Sequence, residues 1–155
     1  MYPDAQHEAD ETVASVAVVS LSPAERDHRI LRSLLPAPQF TVHCATALSV
    51  DVMALLRRGG IHVVLCEGDV EPGAWKEVLD FVMSLPHPPF LIVTSRTGSE
   101  ALWAEALNLG ARDVLAKPFD RTELIRVLGS AWLHWQEQYA SAKAGAGSQR
   151  ARAAN

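Results

Sequence analysis

The sequence predicts a single α/β domain built on one parallel sheet, and three observations indicate it. The chain has 155 residues, of which 48% are hydrophobic and 21% are charged, which is enough for one buried core. Short apolar runs alternate with longer segments of helical periodicity, as in repeated β-α units. Most of these runs are continuously apolar, which is typical of strands covered by helices on both faces.

Four apolar runs, at residues 15–19, 40–44, 62–66 and 90–94, mark predicted strands, and the stretch 113–120 stands near the end of a fifth. The second run alternates apolar and polar residues, which favours an edge strand. The helices between the strands have recognisable starts. Ser22 is placed to cap the first helix, Ser99 the fourth, and Asp120 with Glu123 forms a capping-box-like start to the fifth.

The two ends of the chain lack the periodicity of the middle. Residues 1–12 are rich in Glu, Asp and Gln, and residues 141–155 consist mainly of Ala, Gly, Ser, Gln and Arg. Neither composition supports a packed core. We therefore predict a disordered arm over 1–12, one domain with an extended last helix over 13–140, and a disordered tail over 141–155.

Charge and composition argue against several classes of function. A formal charge of -4 and a pI near 5.8 disfavour a nucleic-acid surface. No run approaches the roughly 18 apolar residues of a membrane span, and the acidic start is unlike a signal peptide, so we expect a cytoplasmic protein without membrane contact. The histidines lack metal-binding spacing, and Cys44 and Cys66 lie in different predicted strands, so we expect neither a metal site nor a disulfide.

Several residues follow the predicted strands at the edge where parallel sheets build their sites: Ser20, Leu21, Glu67, Thr94, Ser95 and Lys117. A carboxylate, a hydroxyl and an ammonium at three neighbouring strand ends predict one polar pocket. In it we expect Lys117 to pair with Glu67 and Thr94 to hydrogen-bond to the same carboxylate.

The stretch from about Ala14 to Trp135 resembles a response-regulator receiver domain of two-component signalling. Three motifs carry the resemblance: Lys117-Pro118-Phe119 matches the family's Lys-Pro motif, Thr94-Ser95 its hydroxyl-plus-small-residue pair, and residues 109–113 its Gly-Ala turn. The resemblance implies a flavodoxin-like fold with five parallel strands in the order 2-1-3-4-5 and helices on both faces.

The chain departs from this family at the residues that carry phosphoryl transfer. Receivers place two acidic residues after the first strand to hold Mg²⁺ and an aspartate after the third strand to accept phosphate. Here Ser20-Leu21 and Glu67 stand at those positions, and a hydroxyl with an isobutyl group is a poor ligand set for Mg²⁺. These departures predict a pseudo-receiver that needs no metal or other cofactor.

Glu67 admits more than one interpretation. We hypothesise that it is a permanent stand-in for the phosphorylated side chain; a decayed site, or Asp69 as a displaced acceptor, are the alternatives. Val114 occupies the place where many receivers carry a switching Tyr or Phe, so the aromatic half of that switch is missing.

The last helix carries an apolar stripe at alternating spacings of three and four, formed by Ile125, Leu128, Trp132, Trp135 and Tyr139. Its end lies beyond the usual receiver boundary. Exposure of apolar area costs ~25 cal/mol per Å², so something should cover the stripe. We predict that a second copy or a partner helix packs along it, with folding back onto its own domain as the alternative.

These residues predict a stand-alone, receiver-like signalling module without catalytic residues. The resemblance implies that it acts through protein-protein contact by its fourth helix, fifth strand and fifth helix. Its expected partner is a histidine kinase, another regulator or a scaffold. Two alternatives stay open. One is a phosphorylatable regulator that uses Glu67 or Asp69, and the other is a small flavodoxin-like ligand binder or enzyme, although no loop is glycine-rich like a phosphate cradle.

Overall fold

Five parallel strands form one sheet in the order β2-β1-β3-β4-β5 in the computed structural model, which describes residues 15–71 and 73–153, with side chains through Tyr139. The strands are β1 Val16–Leu21, β2 Phe40–Ala45, β3 Val63–Glu67, β4 Phe90–Ser95 and β5 Asp113–Ala116. The helices are α1 Glu25–Leu34, α2 Val50–Arg58, α3 Ala74–Met83, α4 Glu100–Leu109 and α5 Arg121–Ala153. The predicted fold class and strand order are confirmed.

The sheet separates two layers of core. Alternate residues of β3 point to opposite faces, so Val63 and Leu65 pack with α1 and α5, whereas Val64 and Cys66 pack with α2 and α3. Every residue of β3 is buried, because helices cover both faces of this central strand. The apolar run of β3 is continuous in the sequence because both of its faces are covered in this way.

Two of the predicted helix caps, Ser99 and Asp120, are confirmed, and Ser49 is a third cap that was not predicted. Ser49, Ser99 and Asp120 each accept a backbone N–H from the residue three positions later, at 2.9–3.2 Å. The prediction for Ser22 is wrong, because α1 begins later and its N-cap position is Ala24, which has no side-chain cap. The Ser22 hydroxyl instead turns towards the candidate site.

The fifth helix extends farther than its composition indicates. Its backbone is helical to Ala153, and the predicted disorder of the segment 141–155 stays a prediction. Ala, Gln and Arg are good helix formers, so a segment without core residues can continue a helix that is already nucleated. Although α5 has 33 residues, no helix in the described part of the chain is long and apolar enough to cross a membrane.

The predicted arm over 1–12 lies outside the described residues.

The apolar stripe of α5 contacts its own domain, as the alternative of folding back predicts, while a second chain along it stays a prediction; its residues are Ile125, Leu128, Trp132, Trp135 and Tyr139. Leu128 is 0% exposed. The Trp135 ring meets His62 edge-on at 4.8 Å, and the Tyr139 hydroxyl donates to the Pro88 carbonyl at 3.4 Å. His62 and Pro88 precede β3 and β4, so the extended helix covers the amino ends of the strands, opposite the candidate site.

Candidate functional site

The residues predicted to share a pocket lie together at the carboxyl ends of the strands. Glu67, Thr94 and Ser95 end β3 and β4, and Lys117 follows β5 directly. All four side chains are buried, and Glu67 stands beside Thr94 in the register of the sheet. Ser20 and Leu21 end β1, where both are also buried.

Lys117 is a buried cation with two carboxylate neighbours. Its Nζ lies 2.9 Å from Oδ2 of Asp27 and 3.6 Å from Oε1 of Glu67. The exposed fractions of the Lys117, Asp27 and Glu67 side chains are 4%, 6% and 5%. The predicted pairing of Lys117 with Glu67 is therefore present only as the longer contact, and Asp27 is the partner within hydrogen-bond distance.

Sequence reasoning missed Asp27, which lies in the first turn of α1. The Ser22 hydroxyl donates to its Oδ2 at 2.9 Å, and the Arg96 guanidinium lies 3.5 Å from its Oδ1. A signal was available, because Asp27 lies one helical turn before Leu31 and so shares the face that Leu31 buries. Burial alone raises the pKa of Asp27, but the hydrogen bonds from Lys117 and Ser22 outweigh it and hold the pKa below 3.8.

The Glu67 carboxylate folds back on the loop that follows β3. Oε1 accepts the backbone N–H of Asp69 at 2.8 Å, and Oε2 accepts that of Val70 at 3.0 Å. The expected bond from Thr94 to Glu67 does not form among the residues that the structure describes; the Thr94 carbonyl instead accepts the N–H of Gly68 at 2.9 Å. The extra methylene of a glutamate lets the carboxylate reach the loop's own amides.

Asp69 bonds across to the neighbouring loop between β4 and α4. Its Oδ1 accepts the Ser95 hydroxyl at 2.6 Å and the Thr97 hydroxyl at 3.2 Å, while Oδ2 accepts the backbone N–H of Arg96 at 2.6 Å. Burial raises the pKa of Asp69, but these three hydrogen bonds and the nearby Lys117 charge lower it below 3.8 overall. Both oxygens of the alternative acceptor are thus already in use.

Gly68 lets the loop that follows β3 approach strand β4. A Cβ at this position would lie 2.7 Å from Cγ1 of Val93, which is closer than real Cβ contacts allow. The absence of a side chain therefore brings Glu67 and Asp69 against β4.

The two remaining predicted residues lie around this pocket. Val114 is 2% exposed and packs in the core layer that contains α2 and α3. Pro118 is exposed and follows Lys117 through a cis peptide bond.

The residues present do not fit the Mg²⁺ that the resemblance to receiver domains implies at the strand ends. Mg²⁺ needs several oxygen ligands, whereas Ser20 and Leu21 occupy the expected ligand positions and the Lys117 ammonium lies between the nearest carboxylates. Within the described residues, no group of three or more His, Cys, Asp or Glu side chains could hold a metal. Cys66 adds no ligand, because burial raises the pKa of its thiol to about 12.

Comparison with known proteins gives matches in structure only. No family model matches the sequence, and no curated protein does. A response regulator from Thermotoga maritima superposes with a TM-score of 0.67 at 18% identity, covering 76% of this chain and 98% of that one. This chain has the receiver-domain fold. The receiver domain of an HD domain-containing protein from Pseudomonas fluorescens Pf-5 gives a TM-score of 0.70 at 20% identity, covering 82% and 93%. The beryllofluoride-activated NtrC4 receiver domain dimer gives 0.67 at 18%, covering 77% and 98%.

Acid is expected to destabilise this receiver fold through Asp27 and Asp69. Their pKa values lie below 3.8 in the folded chain, so their contribution to stability is fully present above pH 3.8 and is lost as the pH falls through the folded values. Urea unfolding from about pH 6 to about pH 3 measures this loss. A double variant, Asp27→Asn with Asp69→Asn, should lose less stability over that range; an equal loss would show that other groups are responsible.

Proposed function

We propose that this chain is a receiver-like signalling module that acts by protein-protein contact and without phosphorylation. The observation that carries the proposal is that the charged groups of the pocket already satisfy one another. Lys117 is paired with Asp27 at 2.9 Å, and both oxygens of Glu67 accept backbone N–H groups. Each Glu67 oxygen accepts one of these N–H groups, and hydrogen bonds that stabilise a carboxylate anion weaken it as a nucleophile towards a phosphoryl group.

Charge neutralisation of an incoming phosphoryl group is also missing. Phosphoryl transfer depends on electrostatic stabilisation, mainly by a divalent ion and a lysine. The position of the ion's ligands holds Ser20 and Leu21, and the lysine is engaged by Asp27. These features favour a pocket whose charge stays constant over a pocket that alternates between a phosphorylated and an unphosphorylated state.

Glu67 is proposed to stand permanently where receivers carry a phosphorylated aspartate. Its carboxylate lies 3.6 Å from the Lys117 ammonium, so an anion is held near this cation without modification. Glu67 is 8% exposed, which limits its contact with an external phosphodonor. No catalytic role is proposed for it.

The surface proposed to bind the partner includes α4. Trp103 and Leu107 lie one turn apart on this helix and are 42% and 43% exposed, and Ala106 is its buried residue. Exposed apolar side chains grouped on one helix face favour a protein interface. A histidine kinase, another regulator, a scaffold or a second copy are the partners proposed, the last because the NtrC4 receiver domain is described as a dimer.

The ligand-binder alternative is less favoured by the pocket beside Glu67. This cavity has a volume of about 200 Å³, whereas small-molecule sites are commonly about 300–1,000 Å³. Its carboxylates, Glu67, Glu71 and Glu77, would repel the phosphate of a flavin or a nucleotide.

Phosphodonor treatment is expected to leave the protein unmodified. The intact mass should not change after incubation with acetyl phosphate and Mg²⁺, because the carboxylates of Glu67 and Asp69 are stabilised by hydrogen bonds and Lys117 is engaged by Asp27. A receiver domain with an intact acceptor aspartate, treated in the same way, serves as the positive control. A phosphoryl adduct that disappears in Glu67→Ala or Asp69→Ala would contradict the proposal.

The contact surface can be tested on the same protein by affinity capture from cells of its source. Capture should be equal with and without acetyl phosphate and should be lost in the Trp103→Ser, Leu107→Ser variant. Met83→Ser is the matched control, since Met83 is an equally apolar side chain that is 60% exposed on α3. Capture that requires acetyl phosphate, or that survives in the α4 variant, would contradict the proposed function.

A further inference from the structure

Asp69 is the side chain that joins the charged pocket to the α4 region. Its carboxylate accepts hydrogen bonds from Ser95, Arg96 and Thr97, which are consecutive residues at the end of β4 and in the loop after it. Asp69, which lies next to the pocket, therefore holds the β4–α4 loop by three hydrogen bonds. Hydrogen bonds to a charged acceptor are roughly twice as strong as neutral ones.

The contacts continue in both directions from Asp69. Towards the pocket, its backbone N–H donates to Oε1 of Glu67 at 2.8 Å, and the same oxygen lies 3.6 Å from Lys117. Towards α4, the Ser95 hydroxyl that donates to Asp69 also accepts the N–H of Gly98 at 3.0 Å. Gly98 precedes Ser99, the N-cap of α4.

The position of α4 depends on the β4–α4 loop, because the helix itself packs weakly on the core. Ala106 is the buried residue of the helix, whereas Trp103 and Leu107 are substantially exposed. Because α4 buries so little apolar area, packing against the core contributes little to holding the helix in one position. Its arrangement therefore depends strongly on the bonds at its amino end.

We propose that Asp69 is an internal anionic clamp that holds the β4–α4 loop, and with it the exposed apolar face of α4, in one arrangement without an added phosphoryl group. This inference rests on the proposed function, because it assigns the regulation of the same binding face. It places the coupling role on Asp69, while Glu67 orients the Asp69 loop and lies near the lysine.

Amide hydrogen exchange on the full chain tests the clamp. Asp69→Ala should accelerate exchange by at least about 10-fold in residues 96–107, because a charge-assisted tether is removed, while β1 and α1 keep their wild-type rates. Glu71→Ala is the matched control, since it removes the same charge from an exposed position in the same loop and should leave α4 unchanged.

Two further variants keep the clamp testable if Asp69→Ala does not fold. Ser95→Ala removes one donor and keeps the carboxylate, so it should accelerate the same amides by a smaller factor. Asp69→Asn keeps the shape of the side chain and loses its charge, and it should accelerate exchange of the same amides relative to the wild type. Wild-type exchange in α4 of these variants, or equal acceleration of β1 and α1, would overturn the clamp.

The clamp and the proposed function fail in different measurements. A phosphoryl adduct on the wild-type chain contradicts the proposed function, whatever the exchange rates of α4 are. Unchanged α4 exchange in the Asp69 and Ser95 variants contradicts the clamp, while phosphorylation-independent binding through α4 would still stand.

Discussion

Asp27→Ala is expected to lower the free energy of unfolding by about 3–5 kcal/mol, the cost typical of breaking a buried ion pair by removing one partner. The Lys117 ammonium, whose side chain is 4% exposed, would keep only Glu67 at 3.6 Å. The Ser22 hydroxyl would also lose its acceptor. A buried cation that keeps only this longer contact is costly because the low dielectric of the interior replaces its hydration poorly.

Urea unfolding of matched variants isolates this effect. Glu25→Ala removes the same charge from an exposed position in the same helical turn and should change stability little. Asp27→Asn should lie between them, since the amide keeps an acceptor oxygen but no charge. If Asp27→Ala changed stability no more than Glu25→Ala, the assignment of Asp27 as the main partner of Lys117 would be wrong.

A second substitution tests whether the cost comes from the unpaired cation. Replacing Lys117 by methionine in the Asp27→Ala background removes the charge and keeps an apolar stem of similar length. Apolar replacement of a whole buried ion pair is often neutral or stabilising, so the double variant should recover much of the lost stability. A double variant as unstable as the sum of the two single variants would contradict this account.

Leu128→Ala is expected to lower the free energy of unfolding by about 2–5 kcal/mol, the range for truncating a fully buried leucine. Leu128 is 0% exposed and packs with Val18 and Leu65 between α5 and the sheet. The loss combines the removed apolar contact with the cavity that remains. The extent to which neighbouring side chains collapse into that cavity sets the position within the range.

Leu133→Ala is the matched control on the same helix. Leu133 is 56% exposed, so its truncation should change stability by no more than about 0.5 kcal/mol. Both variants are measured by urea unfolding and by sedimentation at several protein concentrations. If Leu128→Ala weakened self-association while leaving the monomer's stability unchanged, the packing of the stripe on its own domain would be contradicted.

Most of the fold could be predicted because its elements depend on local patterns. The continuous apolar run before Glu67 indicates a strand covered on both faces, and β3 is buried at every position. Ser99 and Asp120 cap helices because each lies three residues before the N–H that it accepts. The capping prediction for Ser22 failed because α1 begins later, with Ala24 at its N-cap; the Ser22 hydroxyl accepts the N–H of Ala24 and donates to Asp27.

The pocket was predictable only in part. Glu67, Thr94, Ser95 and Lys117 lie together because parallel strands end at the same edge of the sheet, which the strand pattern already implies. The partner of Lys117 was not predictable in this way. Asp27 is 90 residues away in sequence and enters from a helix, and its approach depends on how α1 is rotated on the sheet.

The sequence by itself determined the strands, most helix starts and the set of polar residues at the strand ends, because these follow from spacing within short segments. Only the tertiary structure decided that Asp27 pairs with Lys117, that Asp69 bonds to the β4–α4 loop, and that the α5 stripe contacts its own domain. Each of these outcomes is a choice among several chemically suitable partners. Distances between segments remote in sequence make that choice, and those distances exist only once the helices are packed on the sheet.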